Sequence, residues 1–154
     1  MKLRWAAPSL LVLALGALVP AASHAQGTTQ TQSNETRQRP RGGLAQNYPN
    51  PFNPETRIPF DVGDPPTCTE SSRIYRVTLK VYNLLAQQVA VPVAQGGVAG
   101  GKAIENLELS CGRHIAYWDG KYQGSSREVA SGIYIARLEI DGKVSGVKKM
   151  LVAK

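Results

Sequence analysis

The sequence predicts an all-β protein, an antiparallel β-sandwich of about seven strands, on three observations. Apolar and polar residues alternate with period two through several runs beyond residue 57, and Gly, Pro, Asn and Asp cluster between those runs. No segment after residue 25 carries a convincing helical period. Such a pattern describes short strands with one face in a core and the other in solvent, stacked as two sheets.

In chain order, the first segment is not expected to belong to that fold. Lys2 and Arg4 make a positive start, Leu10 to Val19 is an apolar run ended by Pro20, and Ser23-His24-Ala25 is a small-x-small cleavage signal. The run is too short for a permanent bilayer span. Export with cleavage between Ala25 and Gln26 is therefore expected, an uncleaved N-terminal anchor being the alternative. Cleavage would remove two of the eighteen basic residues and none of the eleven acidic ones, so the exported chain stays basic. That charge favours anionic surfaces without naming a partner. Residues 26–43 are Gln, Thr, Ser, Asn, Arg and Gly with almost nothing apolar, a composition that cannot offset its own ordering entropy. They read as a disordered polar linker. Its Arg37 to Arg41 run, RQRPR, is either a solvated basic stretch or a protease or polyanion site.

The folded domain is expected over residues 44–154. NYPNPFNPETRIPF, from Asn47 to Phe60, places four prolines around Phe52. Proline fixes φ and removes a donor, so Tyr48 to Pro51 reads as a stiff, unpaired lead-in, with Asn50 and Asn53 bonding the backbone two residues on. Ile58, Phe60 and Val62 then alternate with polar neighbours, and Pro59 argues for a sheet edge. Tyr75, Val77, Leu79 and Val81 give the clearest strand, followed by a hairpin connection at Leu84 to Gln88. Val89, Val91 and Val93 form the next run, where Pro92 again implies an edge. Ile104 to Ser110 is a weaker candidate with Leu107 and Leu109 on one face. His114, Ala116 and Trp118 share a face before the turn-rich WDGKYQG. Tyr134, Ala136, Leu138 and Ile140 make another strand, Asp141-Gly142-Lys143 a hairpin turn, and Val144 to Ala153 the last strand, with Met150 and Val152 facing inward.

Chemistry is sparse. After removal of His24 one histidine remains, His114, read as a partly buried sheet residue, and no His, Cys, Asp or Glu set has ligand spacing. There is no nucleophile elbow, and GGVAGG at Gly96 to Gly101 lacks the Lys-Ser/Thr of a phosphate loop. Glu105 and Glu108 do not define a glycosidase pair. Basic residues interleave with aromatics from Arg73 to Tyr82, but an exported protein rarely meets nucleic acid, and none is expected as a partner. The expectation is a non-enzymatic chain with no catalytic residues, no cofactor and no metal. Two cysteines, Cys68 and Cys111, suggest a disulfide in an exported protein, the alternative being two buried thiols. For a loop of that length the chain-entropy account gives roughly 4 kcal/mol as an upper expectation.

Five stretches occur in an order that resembles a known family: NYPNPFNPETRIPF, VTLKVYNLLAQQV, GRHIAYWDG, EVASGIYIARLEIDG and VKKMLVAK. They are similar to the type A C-terminal sorting domain of the type IX secretion system, and equally to the Ig-like domain related to the flagellar hook-capping protein. The resemblance covers about Leu44 to Lys154. It implies a seven-stranded Ig-like sandwich that serves as a transport and anchoring address. The chain would cross the inner membrane with a signal peptide and the periplasm in transit. It would then be recognised by the outer-membrane machinery and held at the cell surface or released outside, with no integral span after cleavage. An Ig-like structural or binding module for another envelope protein is the alternative. By position, Gly132 and Tyr134 match the family's Ser-Gly-x-Tyr motif, and Lys148, Lys149 and Lys154 match its basic C-terminal strand. Three features depart from the family. Ala86 replaces a usual glycine, which implies a different turn because alanine resists positive φ. The cysteine-bearing loops are long, and only the linker stands between the signal segment and the domain, where the family's sorting domains follow a cargo.

Overall fold

The computed structural model describes residues 42–154. The expected signal segment, its cleavage point between Ala25 and Gln26, and residues 26–41 of the expected linker lie outside the described residues. Among those described there is no helix, and nine strands form: β1 (Gly42–Leu44), β2 (Thr56–Val62), β3 (Ile74–Tyr82), β4 (Gln88–Ala90), β5 (Val93–Ala94), β6 (Leu107–Ser110), β7 (Gly112–Trp118), β8 (Gly132–Ile140) and β9 (Lys143–Val152).

Period-two alternation sets which side of each strand is buried. In β3, Tyr75, Val77, Leu79 and Val81 are buried while Ile74 and Arg76 are exposed, and β8 buries Tyr134, Ala136, Leu138 and Ile140 in the same rhythm. β2 contributes Ile58, Phe60 and Val62, and β7 contributes Ala116 and Trp118. Two antiparallel sheets result, one ordered β1-β2-β7-β5 and the other β4-β3-β8-β9, with β6 on the same edge of β3 as β4. Each large aliphatic side chain enclosed between them contributes about 1.5–3 kcal/mol of burial free energy. The fold is the all-β sandwich that the alternation predicts.

The count rises from about seven to nine for two local reasons. Gly42 and Gly43, expected in the linker, pair with Val62 and Asp61 as β1. The expected Val89 to Val93 strand is in fact split. Gln88 to Ala90 pairs with β3, and the chain then crosses to the other sheet, where Val93 and Ala94 pair with Tyr117 and Ala116. Val89 and Ala90 are both buried, so the alternation breaks there. Pro92 cannot donate to a ladder and sits in the crossing, its carbonyl accepting from the Ile104 amide at 2.9 Å.

Pro59 is a second correction. β2 is not an edge strand, since it lies between β1 and β7. The Ala45 amide donates to the Pro59 carbonyl at 2.9 Å, so this residue's backbone faces the β1 side. There β1 has just ended, and the missing N–H interrupts no ladder. The sandwich is drawn together along β1 and β9, where a Cβ at Gly146 would stand 2.5 Å from Leu44 Cβ; only glycine permits that approach.

Cys68 and Cys111 form a disulfide with a Cα separation of 5.7 Å. Cys68 lies in the connection from β2 to β3 and Cys111 in that from β6 to β7. Both connections pass between the sheets, so the bridge ties two crossovers at one end of the sandwich.

Candidate functional site at the C-terminal strand

Of the residues singled out in the sequence, Gly132 and Tyr134 lie on β8, Lys148 and Lys149 on β9, and Lys154 just beyond it. β9 is the last strand of its sheet, and an exposed edge of this kind presents unpaired backbone groups. Here the lead-in covers it. The Phe52 amide donates to the Leu151 carbonyl at 3.0 Å, and the Ala153 amide donates to the Phe52 carbonyl at 3.1 Å. Asn50 Oδ1 accepts from the Leu151 amide at 2.9 Å, and Gln46 Nε2 donates to the Lys149 carbonyl at 2.9 Å. The lead-in is therefore not unpaired as expected, because Tyr48 also exchanges two backbone bonds with Arg57. Nor does Asn50 bond the backbone two residues on. Asn47 does so instead, donating from Nδ2 to the Pro49 carbonyl at 3.0 Å and to Thr56 Oγ1 at 2.9 Å. Among the described residues, Asn47 and Thr56 are the two buried polar side chains, and the sequence offered no sign of that pairing except their shared turn-rich setting.

Phe52 enters the core, 2 % exposed. Its ring meets Trp118 edge-on at 5.4 Å, and Trp118 meets Tyr134 at 5.7 Å. Such contacts add about 0.5–1.5 kcal/mol each beyond burial. The indole Nε1 donates to the Lys121 carbonyl at 3.0 Å, and Asp119 Oδ1 accepts from the Lys121 amide at 3.1 Å, which closes the WDG turn. Gly120, with φ +70°, lies against Pro54, where a Cβ would come within 2.0 Å of the carbonyl oxygen.

Gly132 opens β8 opposite Val152. Tyr134 lies opposite Met150 and is buried, its hydroxyl donating to the Ala130 carbonyl at 3.0 Å. Burial, with Tyr122 nearby, pushes its phenol above the ordinary range. The motif tyrosine is thus a core residue whose hydroxyl is held by the backbone of the loop before β8.

The three lysines do not converge. Lys148 shares the inward side of β9 with Met150 and Val152 and is partly buried, Lys149 points outward, and Lys154 Nζ holds Glu128 at 2.7 Å. The Lys154 amide also donates to Ser131 Oγ at 3.1 Å, fastening the chain end to the motif serine. Lys154 lowers the Glu128 carboxyl below its ordinary value.

Other chemistry-bearing residues stay apart. His114 is partly buried, stacks on Phe60 at 5.5 Å and has Nε2 3.0 Å from the Ser110 carbonyl. Glu105 pairs with Lys80 at 3.1 Å, and Glu108 lies on β6 opposite Arg76. Among the described residues no three His, Cys, Asp or Glu side chains are grouped to hold a metal ion, and no helix is long and apolar enough to cross a membrane.

Compared with family models, with curated proteins and with solved structures, the chain matches none.

Proposed function

We propose that this chain is a non-enzymatic sorting domain that directs export through a type IX secretion system and attachment at the cell surface. One observation carries the reading. Four of the five motifs on which the resemblance rests pack on one another, through Phe52, Trp118, Tyr134 and the Val152 strand end. Their order in the sequence is thereby tied to a single physical unit, in which the basic C-terminal strand is built into a sheet and its edge sealed. A partner would meet a folded surface, not a loose tail. An Ig-like structural or binding module of the periplasm or cell surface is the second reading. The apolar outer face of the five-stranded sheet favours it.

The test is a folded reporter fused ahead of Gly42 in a host that has the translocon. The unmodified domain should deliver the reporter to the surface. Replacing Lys149 and Lys154 with glutamine should reduce delivery while the melting temperature nearly holds, because the first charge is exposed and the second belongs to a surface ion pair, which contributes little to folding. Failure of the unmodified domain to carry the reporter would refute the sorting role and leave the binding module.

A further inference from the structure

We propose that the outer face of the five-stranded sheet, around Tyr82, Ile135 and Lys149, is a docking surface for an acidic protein segment bearing apolar side chains. The outward-facing face of an antiparallel sheet is ordinarily polar. Here the register sets Ile133 beside Leu151, Tyr82 beside Ile135, and Ile135 beside Lys149. Ile133 and Leu151 are 37 % and 40 % exposed, and Leu84, in the β3–β4 connection, is 70 % exposed. Leu84, Tyr82, Ile135 and Arg137 line a cleft of about 350 Å³, large enough for a side chain. Contiguous apolar surface of this kind on a soluble face marks an interaction site.

The charges choose the partner. Lys80 and Arg137 lie directly opposite each other on β3 and β8, a like-charge pairing that disfavours the sheet unless something answers it. Glu105, from the segment before β6, answers Lys80 at 3.1 Å, and Glu139, two residues along β8, answers Arg137 at 2.9 Å. Lys149, beside Ile135, has no carboxylate partner among the described residues. The unanswered charge at the apolar patch is therefore positive, and a complementary partner is negative. A cleft sized for one side chain suits a protein segment better than a headgroup surface. The β9 edge is a poor alternative, because the lead-in already occupies it from Lys149 to Ala153.

A docking face serves a binding module directly and, because Lys149 is also a sorting candidate, it would be the recognition face under the sorting reading as well. The test uses no translocon, and its failure is thus separate from a failure of that reading. A displayed library of random linear peptides is panned against the full chain. Enriched peptides should combine Asp or Glu with Leu, Ile, Phe or Trp. They should lose about tenfold or more in affinity for Lys149→Glu and for Ile135→Ser. Lys148→Gln and Lys154→Gln, which lie off this face, should bind as the parent does. Melting curves verify folding, and Lys149→Gln, a milder change, stands in should the reversed charge unfold the chain. The proposal is overturned by enrichment of no such peptides, or by peptides that bind every variant equally. Binding of phosphatidylglycerol vesicles in place of acidic peptides, or a concentration-dependent dimer that covers the same face, overturns it as well.

Discussion

At position 86 an alanine holds a backbone conformation that usually belongs to glycine. Its φ is +58°, the positive value that alanine ordinarily resists. Asn83 imposes the shape: its Oδ1 accepts from the Leu85 and Gln87 amides at 3.0 Å each, and its amide and carbonyl bond Gln87 and Ala86. A left-handed L-residue costs about 1–2 kcal/mol, part of which glycine returns as lost chain entropy. Ala86→Gly should therefore stabilise the domain by about 1 kcal/mol, read as a rise of a few degrees in Tm; an unchanged or lower Tm would contradict the turn. Charge behaves differently at the same scale. Arg113, hydrogen-bonded to Asp61 at 2.9 Å, holds that carboxyl below its ordinary value. A depressed carboxylate stabilises the fold above its unfolded value of about 4 and loses that contribution as pH falls through the folded value. The pair is largely solvated, so Asp61→Asn should cost less than about 1 kcal/mol at pH 7. Urea titrations at pH 7 and near pH 2 test the sign, since parent and variant should converge in acid.

Among the elements, the lead-in from Gln46 to Phe52 does the work that a neighbouring strand would do for β9. Its bonds are supplied one at a time, by side chains and by a single residue in parallel register with Val152. Asn50→Ala removes the acceptor for the Leu151 amide and should cost about 1 kcal/mol. Hydrogen exchange should quicken at Leu151 with little change at core amides of β3. Equal protection of Leu151 in parent and variant would argue against the seal. Phe52→Ala opens a cavity beside Trp118 and should cost about 3–5 kcal/mol in denaturant unfolding. In the sequence the prolines and Phe52 were visible as a rigid entry, but their partner lies about a hundred positions away, and local patterning holds no record of such distant contacts.

Across the whole domain, the disulfide joins the two crossovers that pass between the sheets at one end of the sandwich. Replacing both Cys68 and Cys111 with serine should lower stability by about 2–4 kcal/mol, chiefly by freeing the unfolded chain. Alkylation of the native protein without reductant should label neither cysteine; quantitative labelling of both would remove the bridge from the account. The strand order adds a consequence. Because β8 and β9 bury Tyr134 and Met150 together, the family-like Tyr and the C-terminal strand are inseparable from stability, and only their outward neighbours can be altered without unfolding.

The sequence by itself determined the fold class, the inward face of β2, β3, β7, β8 and the end of β9, and the Asp141-Gly142 hairpin, because alternation and turn chemistry are local properties of consecutive residues. It also marked Cys68 and Cys111 as candidates for a bridge. Only the tertiary structure decided that Val89 to Val93 divides between two sheets, that Pro59 lies within a flanked strand, and that Asn50 serves β9. It likewise parted Lys148, Lys149 and Lys154, which stand close in sequence but face the core side, the solvent and Glu128 in turn. The physical reason is common to all of these. A strand's period states which side a residue takes, whereas its neighbours across the sheet, and the charges they bring, are set by how distant segments pack.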